Sequence, residues 1–184
     1  MQAARLVFEW LPKAVVDGND LEARTHTQNA ATMAGLGFGN SMAGLAHGLG
    51  HALGGVFHVP HGRAVSLFLP YTLEYCAPSI PGGLVEAGST RYADLARFLG
   101  LPADSEPQAA AGLARAIRAL ERQVGQPLNL QECGITRPQL EAELDTLVFN
   151  TAGDSQTVMS TRIPSDADLR QLFRSAWAGT EIDF

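Results

Sequence analysis

The chain has 184 residues, a length typical of one domain with a single hydrophobic core. Apolar residues make up 46% of it and charged residues 17%, a composition that excludes an intrinsically disordered protein. The net charge is −6 and the 13 Lys and Arg residues are scattered, so we expect no nucleic-acid partner.

Two features indicate where the protein works. No apolar segment with a small-residue cleavage site opens the sequence, and Cys76 and Cys133 lie far apart and outside any CxxC pattern. We therefore expect unpaired thiols and a cytoplasmic location.

The stretch between Arg24 and Arg63 has no charged residue, but it contains five histidines and many glycines. A lipid-facing helix needs a steadier run of large apolar side chains, so we expect no membrane span.

Helical periodicity dominates the first part of the chain. An apolar stripe predicts a first helix that ends before the turn at residues 17–20, with a kink or a late start at Pro12. The segment 54–62 contains Pro60 and three glycines and is expected to be a loop. The other helices expected here are Leu21–Leu36, a helix from an N-cap at Ser41 to about Leu53, and Arg63–Tyr75, interrupted by Pro70.

The second part of the chain has a different texture. Residues 76–90 are rich in proline and glycine and predict a linker. Four amphipathic helices are expected after it, over Tyr92–Leu99, Ala109–Val124, Arg137–Phe149 and Ser165–Ala178. No segment alternates convincingly as a strand. Because each apolar stripe needs another helix to cover it, the fold class predicted is an all-α helical bundle, with residues 1–184 forming one domain.

A cluster of histidines is the feature that indicates chemistry. All five histidines lie between residues 26 and 61, and neutral imidazole is a common ligand of divalent transition metals. His47 and His51 are four residues apart on a predicted helix, so both project from one face, and spacing alone nominates them as a ligand pair. His61 lies in a Pro-His-Gly segment that can fold back onto that face. The pattern predicts a metal or catalytic site.

Three glycines at positions 35, 37 and 39 precede this cluster. A glycine-rich phosphate loop follows a strand, whereas this segment follows a predicted helix, so a nucleotide site is not indicated. The glycines are expected to allow tight packing of helices.

The string AHGLGHALGGVFHVPHG, residues 46–62, resembles the signature of the iron-containing (group III) alcohol dehydrogenases. The flanking strings AGLGFGNSMAGLAH and LFLPYTLEY are similar to that family as well, and fainter similarity extends to the C-terminus. The resemblance implies the all-helical C-terminal domain of the dehydroquinate synthase-like fold. The family reaction is NAD(P)-linked oxidoreduction of alcohols and aldehydes.

In that family an Asp and three His hold a divalent metal. By resemblance, His47 and His61 are metal ligands for Fe(II) or Zn(II), and His51 is a catalytic residue that assists proton transfer. The spacing-based pairing of His47 with His51 is therefore replaced by His47 with His61. The resemblance gives no role to His58, and His26 is expected to be a solvated helix residue.

The sequence departs from the family in what it lacks. The family's remaining Asp and His ligands form a D-x3-H pair that by spacing falls before Met1, and the nucleotide-binding domain lies further upstream. We therefore expect NAD(P) to bind only in a complete enzyme that includes this missing half, and we expect the chain alone to be inactive. The alternative is a non-catalytic helical domain or gene fragment that binds metal weakly or serves oligomerisation. In either case exposed apolar surface near residues 1–15 and the His47–His61 face favours a homo-oligomer.

Overall fold

The computed structural model describes residues 1–77 and 88–184, and every regular element in these two ranges is helical. This confirms the predicted all-α fold class. In chain order the α-helices are α1 Gln2–Val16, α2 Leu21–Ser41, α3 Leu45–Phe57, α4 His61–Cys76, α5 Gly88–Phe98, α6 Glu106–Gln123, α7 Arg137–Ala152 and α8 Asp166–Ala178, with a 3-10 turn at Thr157–Met159 between α7 and α8.

Helices α1 and α2 form a hairpin around the turn at residues 17–20. Pro12 lies inside α1, and the side chain of Asp20 caps α2 by accepting a hydrogen bond from Ala23 N at 3.0 Å. The predicted end of α2 at Leu36 was wrong by five residues, and Ser41 is its last residue rather than the cap of the next helix. Alanine and methionine residues before the glycines favour the helix, which ends only where Met42 takes a φ of 63°.

Helices α3 and α4 are separated by residues 58–60 alone, so the loop predicted over 54–62 was too long. Glycines 54 and 55 remain helical, and His58 ends α3 in the left-handed conformation with a φ of 57°. Pro60 is the N-cap of α4, which makes His61 the first residue of that helix. Pro70 does not interrupt α4: it lies buried inside a helix whose surrounding residues pack in the core.

The main core lies between α3, α4, α7 and α8. Phe68 of α4 and Phe173 of α8 are fully buried and meet edge to face with ring centroids 5.5 Å apart. Two tyrosine hydroxyls of α4 find acceptors at the edge of this core, because Tyr71 donates to Leu128 O at 2.7 Å and Tyr75 to Asp168 at 3.1 Å. The core therefore fixes α3 and α4, the two helices that carry four of the histidines.

A second, smaller core joins α4 to α5 and α6, mainly through alanines and Leu113. Arg118 of α6 and Glu74 of α4 form a two-pronged ion pair beside it. Residues 78–87, most of the predicted linker, lie outside the described residues, while Cys76 still belongs to α4 and Thr90 already belongs to α5. Cys76 and Cys133 are both free.

The C-terminal half of α2 lies almost entirely on the surface. Leu36 is 71% and Phe38 is 52% exposed, and a Cβ atom at glycine 35, 37 or 39 would meet no atom within 4 Å. The expectation that these glycines allow tight packing was therefore wrong for this chain. The reason is length: α1 has 15 residues and α2 has 21, so the last turns of α2 extend past the helix they pair with.

None of the helices in the described ranges is both long enough and apolar enough to cross a membrane.

Candidate metal centre

Three of the histidines predicted from the sequence come together on one surface. The ring centroids of His47 and His61 are 5.5 Å apart, those of His51 and His61 5.3 Å, and those of His47 and His51 5.7 Å. His47 is half-buried, whereas His51 and His61 are exposed. We call these three residues the histidine cluster. Two of them lie one helical turn apart on α3, and the third opens α4.

Close contact between α3 and α4 places His61 beside the other two rings. A Cβ atom on Gly50 would lie 2.7 Å from Val65 Cγ2 and 3.0 Å from the Val65 backbone. Only a glycine at this position lets the two helices approach so closely. Gly50 lies between His47 and His51 on α3. Its contact with Val65 therefore sets the distance between α3 and α4 at the histidine cluster.

The spacing of His47 and His61 fits two ligands of one ion. With metal–nitrogen distances of about 2.0–2.1 Å, two imidazoles on a tetrahedral ion have ring centroids about 5 Å apart. Partial burial, and then the neighbouring rings of His61 and His51, lower the pKa of His47 against a smaller raising effect of Asp154. A neutral imidazole is the form that binds a metal. The donor atoms present are therefore suited to Fe(II) or Zn(II).

The described residues supply only part of such a site. Within 1–77 and 88–184 there is no group of three or more His, Cys, Asp or Glu side chains placed to hold a metal ion. The side chains of these described ranges therefore do not assemble the set of four ligands that the resemblance implied. His58 lies exposed at the end of α3, and His26 stacks on Trp10 with centroids 4.2 Å apart, so it is half-buried rather than fully solvated as expected.

One residue that contacts the cluster, Asp154, was not predicted from the sequence. Asp154, just after α7, lies with Oδ2 2.7 Å from Nδ1 of His51. The side chain of Asp154 is 17% exposed and that of His51 is 41% exposed. The two residues are 103 positions apart, so no local pattern connects them. The run Gly153-Asp154-Ser155, a polar turn after an amphipathic helix, is the only local signal, and it is common in loops.

The comparisons with known proteins identify the family of the chain. The model of the Fe-containing alcohol dehydrogenase family, C-terminal part, matches residues 1–177, so the chain belongs to the iron-containing alcohol dehydrogenase family. It is 28% identical over 184 residues to an NADPH-dependent butanol dehydrogenase of Clostridium saccharobutylicum, covering 100% of this chain and 45% of that protein. It is 35% identical to an NAD-dependent methanol dehydrogenase of Bacillus methanolicus, covering 96% of this chain and 44% of that protein.

Solved structures show the same relationship. An alcohol dehydrogenase from Oenococcus oeni superposes with a TM-score of 0.84 at 30% identity, covering 96% of this chain and 43% of that one. An iron-containing alcohol dehydrogenase from Thermococcus thioreducens gives 0.83 at 29% identity, covering 97% and 43%. The all-helical bundle is thus the C-terminal domain of that fold. The chain spans less than half the length of each of these four relatives.

Proposed function

We propose that this chain is the metal-binding half of an NAD(P)-linked alcohol dehydrogenase and that it contributes His47 and His61 as two of four metal ligands. The observation that carries the proposal is the 5.5 Å separation of these two rings, fourteen positions apart in sequence and on different helices. The remaining Asp and His ligands come from a partner polypeptide or an upstream segment. The same partner polypeptide or upstream segment binds NAD(P).

The chemistry divides between the ion and the protein. A divalent ion held there supplies Lewis acidity toward the oxygen of an alcohol or aldehyde. His51 exchanges the proton of that oxygen with solvent, a role for which histidine is the side chain most often used. The exposure of His51 gives the proton a path to water. His47 and His61 hold and orient the site.

On its own, this chain offers only two imidazole ligands. Two imidazoles bind a metal weakly, since affinity depends on the full set of ligands in the right geometry. We therefore expect the isolated chain to have negligible dehydrogenase activity. A cytoplasmic location stays a prediction from the unpaired cysteines. Self-association also stays a prediction, which the sequence based on residues 1–15 and the His47–His61 face and to which the structure adds the exposed end of α2.

Complementation tests the proposal. The chain is joined to the nucleotide-binding half of a relative such as the methanol dehydrogenase, and NAD(P)H formation from a panel of short alcohols is measured with added Fe(II) or Zn(II). We expect turnover from the joined protein and none from the chain alone. His51→Gln should lower kcat by about 10²- to 10⁴-fold, while His58→Gln, at the C-terminal end of α3 and outside the cluster, should not.

Two results would contradict the proposal. The first is alcohol-dependent NAD(P) reduction by the purified chain without any second half. The second is a joined protein that is folded and loaded with metal but inactive. The DNA around the gene gives an independent test, because the proposal requires a D-x3-H helix and a glycine-rich nucleotide loop to be encoded either in an open frame upstream of the Met1 codon or in a separate gene for the partner polypeptide.

A further inference from the structure

Among the residues that the structure describes, Asp154 makes the one side-chain hydrogen bond to His51, with Oδ2 2.7 Å from Nδ1. We infer that Asp154 is a positioning residue that holds the His51 ring in one orientation and in the tautomer with its proton on Nδ1. The inference deepens the role of His51 and rests on the proposed function for its catalytic meaning. The tautomer itself is a property of this chain alone.

The direction of the hydrogen bond follows from the chemistry of the two groups. A carboxylate only accepts hydrogen bonds, so an ionised Asp154 requires a proton on the Nδ1 atom of a neutral His51. Although its partial burial would raise the pKa of Asp154, hydrogen bonds from His51 and from Gln156 N hold that pKa below its usual range. The lone pair of the neutral ring is then on Nε2, which is free to accept a proton from substrate.

The position of Asp154 is itself fixed by the surrounding backbone. Its second oxygen, Oδ1, accepts a hydrogen bond from Gln156 N at 2.7 Å. The Gln156 side chain then accepts from Ala43 N at 2.8 Å, in the segment that leads into α3. Thr157 Oγ1 donates to Thr151 O at 2.7 Å and closes the turn. These hydrogen bonds therefore hold Asp154 in place beside α3, the helix that carries His51.

The same contacts argue against Asp154 as a metal ligand within this chain. Both of its oxygens are already engaged, one by His51 and one by the backbone of Gln156. In the ranges that the structure describes, no group of three side chains that includes Asp154 is placed around a single ion. Its action on the site therefore passes through His51.

Nuclear magnetic resonance of the histidine rings tests the inference directly. The full chain is labelled with ¹⁵N at histidine, and long-range ¹H–¹⁵N spectra are recorded about two pH units above the ordinary imidazole pKa of about 6.5. In the wild-type chain Nδ1 of His51 should give the pyrrole-like shift and Nε2 the pyridine-like shift. In Asp154→Asn the two assignments should exchange, because an amide N–H favours the tautomer with its lone pair on Nδ1.

Asp145→Asn is the matched control, since Asp145 is an exposed aspartate on α7 paired with Arg170 and has no contact with the cluster. It should leave the His51 spectrum unchanged. A proton on Nε2 in the wild-type chain would overturn the inference, as would an Asp154→Asn variant that keeps the wild-type tautomer. The wild-type spectrum decides even if the variant does not fold. It also stands apart from turnover, so an inactive joined protein with the Nδ1–H tautomer would refute the proposed function and leave this inference intact.

Discussion

Gly48 of α3 lies so close to Thr157 that a Cβ atom on the glycine would be 2.1 Å from Thr157 Oγ1. Thr157 is buried, and its hydroxyl is already committed to Thr151 O. The glycine immediately follows His47 in sequence, and Thr157 follows Asp154 by three residues. This contact is therefore what brings the Asp154 turn against the helix of the histidine cluster.

Gly48→Ala should destabilise the chain by about 1–3 kcal/mol, because the new methyl group cannot be accommodated without moving Thr157. Gly37→Ala is the matched control, since its Cβ would meet open space on exposed α2. There the better helix propensity of alanine should stabilise by up to about 1 kcal/mol. Urea denaturation measures both changes, and equal effects of the two variants would contradict the close contact at Gly48.

Glu121 gives a prediction about pH. It is 5% exposed, and neither of its carboxylate oxygens has a hydrogen-bond partner among residues 1–77 and 88–184. Burial raises its pKa to about 8 despite the nearby Arg118. Between its ordinary pKa of 4.5 and about 8, the folded chain holds a proton that the unfolded chain has released. The contribution of Glu121 to the free energy of unfolding therefore falls as the pH rises through this window.

Glu121→Gln removes that dependence. Relative to the wild type, the variant should gain stability as the pH is raised from about 5 to about 8, by about 1–3 kcal/mol in total. Glu9→Gln, on the exposed face of α1, should show no such gain. Denaturation midpoints measured across this range test the sign. A stability difference that stays constant with pH would mean that Glu121 ionises freely in the folded chain.

The exposed end of α2 predicts self-association of the chain when it is purified alone. Leu36 and Phe38 are large apolar side chains that are mostly exposed, and exposed apolar surface on a folded domain tends to be covered by another surface. The double variant Leu36→Glu and Phe38→Glu should shift the chain toward monomer in light scattering. Phe149→Glu, which alters an even more exposed aromatic on α7, serves as the control and should leave the association unchanged. A wild-type chain that is monomeric at high concentration would show that α2 does not drive association.

The sequence predicted the fold class and the histidine cluster because both depend on local periodicity. The four-residue spacing of His47 and His51 fixes their common face once the helix is known. Helix α8 was expected over Ser165–Ala178, and in the structure Ser165 caps it in a reciprocal arrangement with Asp168. The meeting of His61 with His47 was not deducible from spacing alone. The family resemblance implied it, and the structure brings the two rings together.

What escaped prediction depends on contacts between distant segments. Asp154 reaches His51 only because Thr157, in the 3-10 turn after α7, packs against Gly48. No local pattern in the sequence encodes that contact. The end of α2 was missed for the opposite reason. Glycine usually indicates the end of a helix, but three of them remain helical here while meeting no neighbour at all.

Metal content of the joined protein tests the central claim most directly. Protein assembled from this chain and a nucleotide-binding half is dialysed and analysed for iron and zinc, alongside His47→Ala, His61→Ala and the control His58→Ala. We predict one bound divalent ion per protein in the wild type and in His58→Ala. In His47→Ala and in His61→Ala the affinity for the metal should fall by about tenfold or more. Full retention of metal by both His47→Ala and His61→Ala would contradict the account.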